Sequence, residues 1–532
     1  MSFVNFLFKV NDRQLLKLPQ GANHDETRDE RTDKPAQTGG WTPSTLLLVN
    51  QALAILAYFG IGVNLVLFLT RVLGESNVNA ANSVSKWTGT MYLFSLLGAF
   101  VSDTYWGRYK TCAIFQAIFV IGLTLFSLLS TLILLKPKGC GDEQVLCNSH
   151  TAFHKALFYV AMYVVALGMG GYQPNIAVFG ADQFDDRDVQ QQRSKLSYFS
   201  FFVLALNLGS FLSKMILGNF EDGGNWVVGF WTSTGSAVMG LALFFAGARL
   251  YRTILPSGNC ASMVFRAVAT AMSKRQHVDV EQQTNDNNFR ELEKVKHLVR
   301  LIPIWLCIIF YSVVFAQMSS LFMEQGAAMK KKMRHMHISP ATVSVFNIIS
   351  VAIFIFFNRF LLSPLVTRQR NRALSELERM GVGLVIAFFA MMAAGLVEFF
   401  RRKYAIRECP NASCLSILWQ IPQYMLIGAS EVFMGVARLE FFYGQAPEEL
   451  KCFGNALCLT SIALGNYLSS FIATIVTKIS TSTGTPGWIS QDLNKGHLER
   501  FYFLLAALIM IDFVVYLFIA RAYKYVQSEV VK

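Results

Sequence analysis

The sequence predicts an all-α polytopic membrane protein, twelve transmembrane helices in two six-helix bundles, and three observations carry that prediction. Of its 532 residues, 53% are hydrophobic and only 15% are charged, where a soluble chain carries about a quarter charged residues. Apolar runs of about 20 residues, each long enough for roughly 30 Å of hydrocarbon, recur from end to end. A polar, basic stretch over 250–300 divides these runs into two equal sets.

Residues 1–42 read as a disordered cytosolic lead-in. "MSFVNFLFKV" offers no small-residue cleavage site, and "QGANHDETRDERTDKPAQTGG" is polar and punctuated by Gly and Pro, so the first span is expected to act as the insertion signal. The N-terminal bundle, 43–249, comprises spans 43–70, 83–102, 110–135, 153–176, 196–218 and 227–249. In the linker, 250–300, "NNFRELEKVKHLVR" spaces Phe289, Leu292, Val295 and Leu298 three apart, the pattern of an amphipathic helix on the cytosolic surface. The C-terminal bundle, 301–522, comprises spans 301–324, 339–362, 380–400, 416–441, 454–478 and 499–522, and 523–532 is a cytosolic tail.

The formal charge of +13 sits in loops between spans, which points to topology and anionic lipid headgroups rather than nucleic acid. Basic residues after spans 2, 6 and 8, such as Arg108, Lys274 and Arg368, place both termini in the cytosol, with the plasma membrane as the expected location. "KKKMRHMH" and "RRKYAIR" on the opposite side count against that orientation, but early helices weigh most. Of the nine cysteines, Cys112, Cys307 and Cys458 lie in spans and read as small hydrophobes. Cys140 with Cys147 and Cys409 with Cys414 are candidates for two local disulfides on the non-cytosolic face, where Asn411 also opens a glycosylation sequon. No cluster has metal-site spacing, and no cofactor is implied.

"GAFVSDTYWGRYKT", Gly98 to Thr111, places an acid, a glycine turn and an arginine between spans 2 and 3. Gly98, Asp103, Gly107 and Arg108 so spaced resemble the cytosolic signature of the major facilitator superfamily, which implies a charged latch between the two halves in one conformation. "FVLALNLGSF" (202–211) is similar to the span 5 signature of proton-coupled peptide transporters, with Val203 where Tyr is usual. "FGADQFDD" (179–186), "ASEVFMGVARLEFFYGQAPEELK" (429–451) and "NLVLFLTRVLGE" (64–75) resemble the plant nitrate transporter 1/peptide transporter family, and its subfamily 7 in particular. The resemblance runs from Trp41 to Tyr525.

That family implies secondary active transport by alternating access, usually driven by protons. It ordinarily carries Glu-x-x-Glu-Arg on span 1, Lys on span 4 and Glu on span 10. Here the matching positions are Gln51, Ala54 and Ile55, then Gln173, then Glu431; subfamily 7 is known for lacking the span 1 charges. Phe315 stands where one branch has a nitrate-binding His. A carboxylate at bilayer depth is costly and functional by default, so Glu431, read as the sole deep acid, is the expected proton or cation site. Gln51, Tyr58, Asn64, Gln173, Asn207, Phe315 and Gln317 are expected around the substrate cavity, although amides also tie membrane helices together. "LGMGGYQPN" (167–175) combines three Gly with Pro174, for close packing or for a loosened helix at a cavity. Arg438 is expected to pair with Glu440 or a headgroup, because roughly 10 Å of helix rise separates it from Glu431.

A cavity without the usual cations would hold an anion weakly and tolerate K⁺ or H⁺. The expected partners are therefore nitrate, potassium, protons and the lipid bilayer, and the expected function is low-affinity nitrate transport, proton/potassium exchange, or both. A transporter-like ion sensor, or a carrier of another solute such as a hormone or peptide, remains the alternative. No Ser/His/Asp grouping, zinc pattern or phosphate loop suggests an enzyme.

Overall fold

The structure, a computed structural model, describes residues 39–134, 152–185, 188–253, 286–333, 336–358, 374–408, 415–445, 451–481, 487–490 and 492–523. Twelve long helices account for nearly all of them. In the first half these are α1 (Trp41–Gly62, resumed as Leu65–Arg71), α2 (Asn77–Val101), α3 (Gly107–Leu134), α4 (Ala152–Ala181), α5 (Val189–Leu212) and α6 (Trp226–Ala246). In the second they are α7 (Asp286–Ala316), α8 (Pro340–Phe357), α9 (Glu376–Glu408), α10 (Ile421–Gln445), α11 (Lys451–Thr481) and α12 (Leu498–Ala522). Each answers to one expected span. Ten stretches among the described residues are apolar and long enough to cross a membrane, the longest, Asn77–Leu134, holding α2 and α3 together.

The linker boundary differs from the expectation. The helix expected in "NNFRELEKVKHLVR" is present but runs unbroken into span 7, with Pro303 inside it. Cys140, Cys147, Cys409, Cys414 and Asn411 lie outside the described residues. Cys112, Cys307 and Cys458 are buried free thiols, as expected.

Each half packs through an apolar interior. Phe126 meets Phe158 at 4.8 Å and Phe230 at 5.0 Å between ring centroids, and Phe68 meets Trp226 at 5.3 Å. Ile121, Phe389, Phe471 and Phe518 are more than half exposed on the outside of the bundle, which suits lipid contact rather than water. Close approach needs glycine at particular points. A Cβ on Gly98 of α2 would fall 2.5 Å from the Gly171 backbone of α4, and one on Gly168 2.3 Å from the Phe119 backbone of α3. The glycine run "LGMGGYQPN" therefore reads first as packing. Gly107 joins the π-turn Ser102–Trp106 to α3 with φ +72°, a conformation that favours glycine.

The halves meet along α2 against α11 and α5 against α8. Among the described residues, their polar contacts gather at the end of the bundle remote from the two chain termini. There Asn82 Nδ2 donates to Thr474 Oγ1 at 2.8 Å, Thr90 and Tyr467 share a hydroxyl bond at 2.6 Å, and Asn77 Nδ2 donates to Ser490 O at 3.1 Å. Lys331, Thr70 and Thr342 also reach across, to Asp222, Glu324 and Asn219. The far end is closed.

Candidate transport site

Glu431 lies midway along α10, half-buried, where the halves face each other. Asn347 of α8 donates its Nδ2 to Glu431 Oε2 at 3.4 Å, while Asn347 Oδ1 is buried without a partner. Two cations act on the carboxylate: Arg438 from the same helix and Lys214 from the opposite half. Tyr92 of α2 and Tyr311 of α7 share this field. The centre is thus built by both halves.

Lys214 corrects the expectation of a cavity without cations. It sits in the π-turn Ser213–Leu217 that continues α5, with 5% of its surface exposed and its ammonium 5.6 Å from the centre of the Phe59 ring. That cation–π contact offsets part of its desolvation. The extra residue of a π-turn re-aims a side chain, here toward the inter-half centre. A lone Lys inside an otherwise apolar run was the available signal, hidden by its position near the end of the span.

Glu431 is also not the sole deep acid. Glu221 and Glu398 are fully buried, and Asp222, Glu324 and Asp512 are nearly so. Glu398 forms a bidentate pair with Arg401, at 2.8 and 2.9 Å, with both side chains sealed and Arg401 also bonded to Asn494 and Leu493 O. This pair fixes α9 against the loop before α12 and has no access to the centre.

The remaining expected residues divide by what they touch. Gln51 is completely buried with neither amide atom partnered. Gln173 is half-buried. Asn64 stands at the break in α1 and donates to Gly218 O at 2.9 Å. Three side chains are engaged in packing instead. Tyr58 stacks on Trp87 at 5.0 Å, Gln317 bonds Ser469 and Val313 O, and Asn207 bonds Val203 O on its own helix. Phe315 packs against the core. Arg438 does not pair with Glu440, which Arg379 holds, and its Nε has no acceptor.

The latch residues also differ in partner. Arg108 binds Asp182 at the end of α4, within its own half, so in this conformation it does not join the halves. Gly98 serves helix packing and Gly107 the turn, as above. Of Asp103 only its place in the π-turn is described.

The pattern of the POT family matches residues 109–489 of this chain. Protein NRT1/PTR FAMILY 7.2 of Arabidopsis thaliana is 52% identical over 93% of each chain, and Protein NRT1/PTR FAMILY 7.3 of the same plant is 49% identical over 98% of this chain and 95% of its own. The fold matches the crystal structure of an auto-inhibited POT family peptide transporter, with TM-score 0.72 and 19% identity over 92% of this chain and 98% of the other. PepTSo, another POT family transporter, matches with TM-score 0.71 and 19% identity over 91% and 99%. A helical chain that crosses a membrane many times, built around an inter-half centre, is accordingly a secondary transporter and not an enzyme: it belongs to the POT family, in the NRT1/PTR branch and like its subfamily 7.

Proposed function

We propose that this transporter carries nitrate at low affinity together with protons, with Glu431 as the coupling carboxylate and Lys214 as its counter-charge. The observation that carries the reading is a buried ammonium on one half, Lys214, within electrostatic reach of the acid on the other, Glu431. With Glu431 ionised, it offsets one of the two cations, Lys214 and Arg438, and the centre keeps one net positive charge. A proton on Glu431 leaves both cations uncompensated in a low-dielectric site, and an entering anion offsets one of them. Proton and anion therefore favour each other's binding, which is the requirement for moving together. The same carboxylate, when ionised, competes with the anion for these cations, which keeps the anion site weak.

A second reading, exchange of potassium for protons, has its own support. Asn347 Oδ1 is a buried oxygen without a partner beside the Glu431 carboxylate, and hard cations take oxygen ligands of these kinds. In both readings the far, closed end faces outward, the termini and Arg108 face the cytosol, and the protein resides in the plasma membrane.

Tracer flux and currents in oocytes, with pH, nitrate and K⁺ varied independently, test both. Glu431→Gln is expected to remove the pH dependence of nitrate flux. Normal flux with an unchanged pH profile in that variant defeats the coupling assignment. A reversal potential that follows K⁺ and ignores nitrate selects the exchange reading.

A further inference from the structure

A second acid site lies away from the centre, at the closed end. Glu221 follows the π-turn of α5, in the short helix Gly218–Asp222. Its side chain is fully buried, and neither carboxylate oxygen has a hydrogen-bond partner of good geometry. It is held tightly: a Cβ on Gly229 of α6 would fall 2.7 Å from Glu221 Oε1. Only the Asn64 amide lies in loose contact, and that amide already donates to Gly218 O at 2.9 Å while its own Oδ1 is unpartnered. Asn64 marks the interruption of α1 between Gly62 and Leu65.

The charges around it are unbalanced. Asp222 receives Arg71 at 3.1 Å from α1 and Lys331 at 3.3 Å from the other half. Glu324, from the short helix Leu321–Ala327 after α7, accepts from Thr70 at 3.3 Å and lies in the field of Arg71. Neither α6 nor α8, the other helices packed here, carries a titratable side chain. Among the described residues, three carboxylates thus face two cations, and both cations lean on Asp222 and Glu324. A buried carboxylate without counter-charge or hydrogen bonds is untenable as an anion. One added positive charge closes the balance, and a proton on the fully buried, unpartnered Glu221 carboxylate supplies it.

We propose that Glu221 is a second proton-binding site of this transporter, distinct from Glu431 and exposed to exchange with water when the Arg71–Asp222–Lys331 clasp parts. Lys214 lies seven residues before Glu221 on the same element, roughly 10 Å of helix rise, between Glu221 and the Glu431 centre. Span 1 lacks the usual acids, and this site returns a proton-carrying group to its neighbourhood. The inference deepens the proton-coupled reading and rests on it for the transport consequence, though not for proton binding itself.

Infrared difference spectra of the full-length protein in lipid vesicles, taken across a pH jump without nitrate, read proton binding directly. Glu221→Gln is expected to delete a buried carboxylic-acid band that Glu431→Gln leaves in place, and Glu221→Asp to shift it. A spectrum unchanged by Glu221→Gln, or a Glu221 band that never responds to pH, overturns the proposal. In a second arm, Glu221→Gln is expected to flatten the dependence of nitrate uptake on outer pH while nitrate/nitrate exchange persists. Absence of nitrate flux in the wild type refutes the nitrate reading and leaves the infrared result standing, so the two failures are distinguishable. If Glu221→Gln does not fold, Glu221→Asp decides: a band that does not shift overturns the site.

Discussion

In the proposed nitrate reading Lys214 is the charge that separates an anion site from a cation site, so its removal should tell in the substrate constant rather than in folding alone. A hydrogen bond to a charged group is worth about 1.5–3 kcal/mol, and each 1.4 kcal/mol is tenfold in affinity. Lys214→Gln should therefore raise the nitrate KM by about tenfold or more, while Lys214→Arg, which keeps the charge, should retain most of the affinity; uptake kinetics at fixed pH check this. The sealed Glu398–Arg401 pair predicts a different signature. Arg401→Met strands a carboxylate at 0% exposure, a loss of about 3–5 kcal/mol in comparable buried pairs. The double variant Glu398→Leu/Arg401→Met should recover much of that loss in thermal melts of the purified protein. Both results should leave the pH profile of transport unchanged, because this pair does not touch the centre.

The helices themselves were legible, because an apolar run of bilayer length is a strong signal and each run became one helix. What interrupts them was not. The break in α1 at Val63–Asn64 depends on contacts from elsewhere in the sequence: Trp87 lies 3.3 Å from where a Gly62 Cβ would be, and Gly218 O takes the Asn64 hydrogen. The π-turn that aims Lys214 and precedes Glu221 is likewise a tertiary feature with no local sequence mark. Glu431 was legible because it stands among apolar neighbours midway along its helix, whereas Glu221 and Asp222 look like loop residues at the end of a run. Glycine packing makes its own prediction at this scale. Gly98→Leu drives a side chain into the Gly171 backbone, which cannot yield as a flexible side chain would, and overpacking costs about 1–3 kcal/mol or more. Gly235 of α6 has nothing within 4 Å of an added Cβ, so Gly235→Ala should be tolerated. The yield of monodisperse protein in detergent should fall for the first and hold for the second.

At the scale of the whole molecule, the two halves are joined by polar contacts at one end and by none among the described residues at the other. In the proposed transport cycle, a molecule so joined is closed at the end remote from the termini. Transport then requires the α2–α11 contacts to break, since solute entering from the far side must pass between Asn82 and Thr474 and between Thr90 and Tyr467. A covalent bridge there should trap this state. Asn82→Cys paired with Thr474→Cys, treated with a short bifunctional thiol reagent, is expected to lose nearly all net flux; a reducible reagent should allow recovery with dithiothreitol, and neither single variant should respond. The trapped protein also reports its orientation. A cysteine replacing Arg438, on the open side of Glu431, should react with a membrane-impermeant thiol reagent from the face that carries the termini and stay protected from the other. Labelling from the far face in the bridged protein would mean that this end is not closed. The clasp at Asp222 and the proton site beside it would then need another explanation.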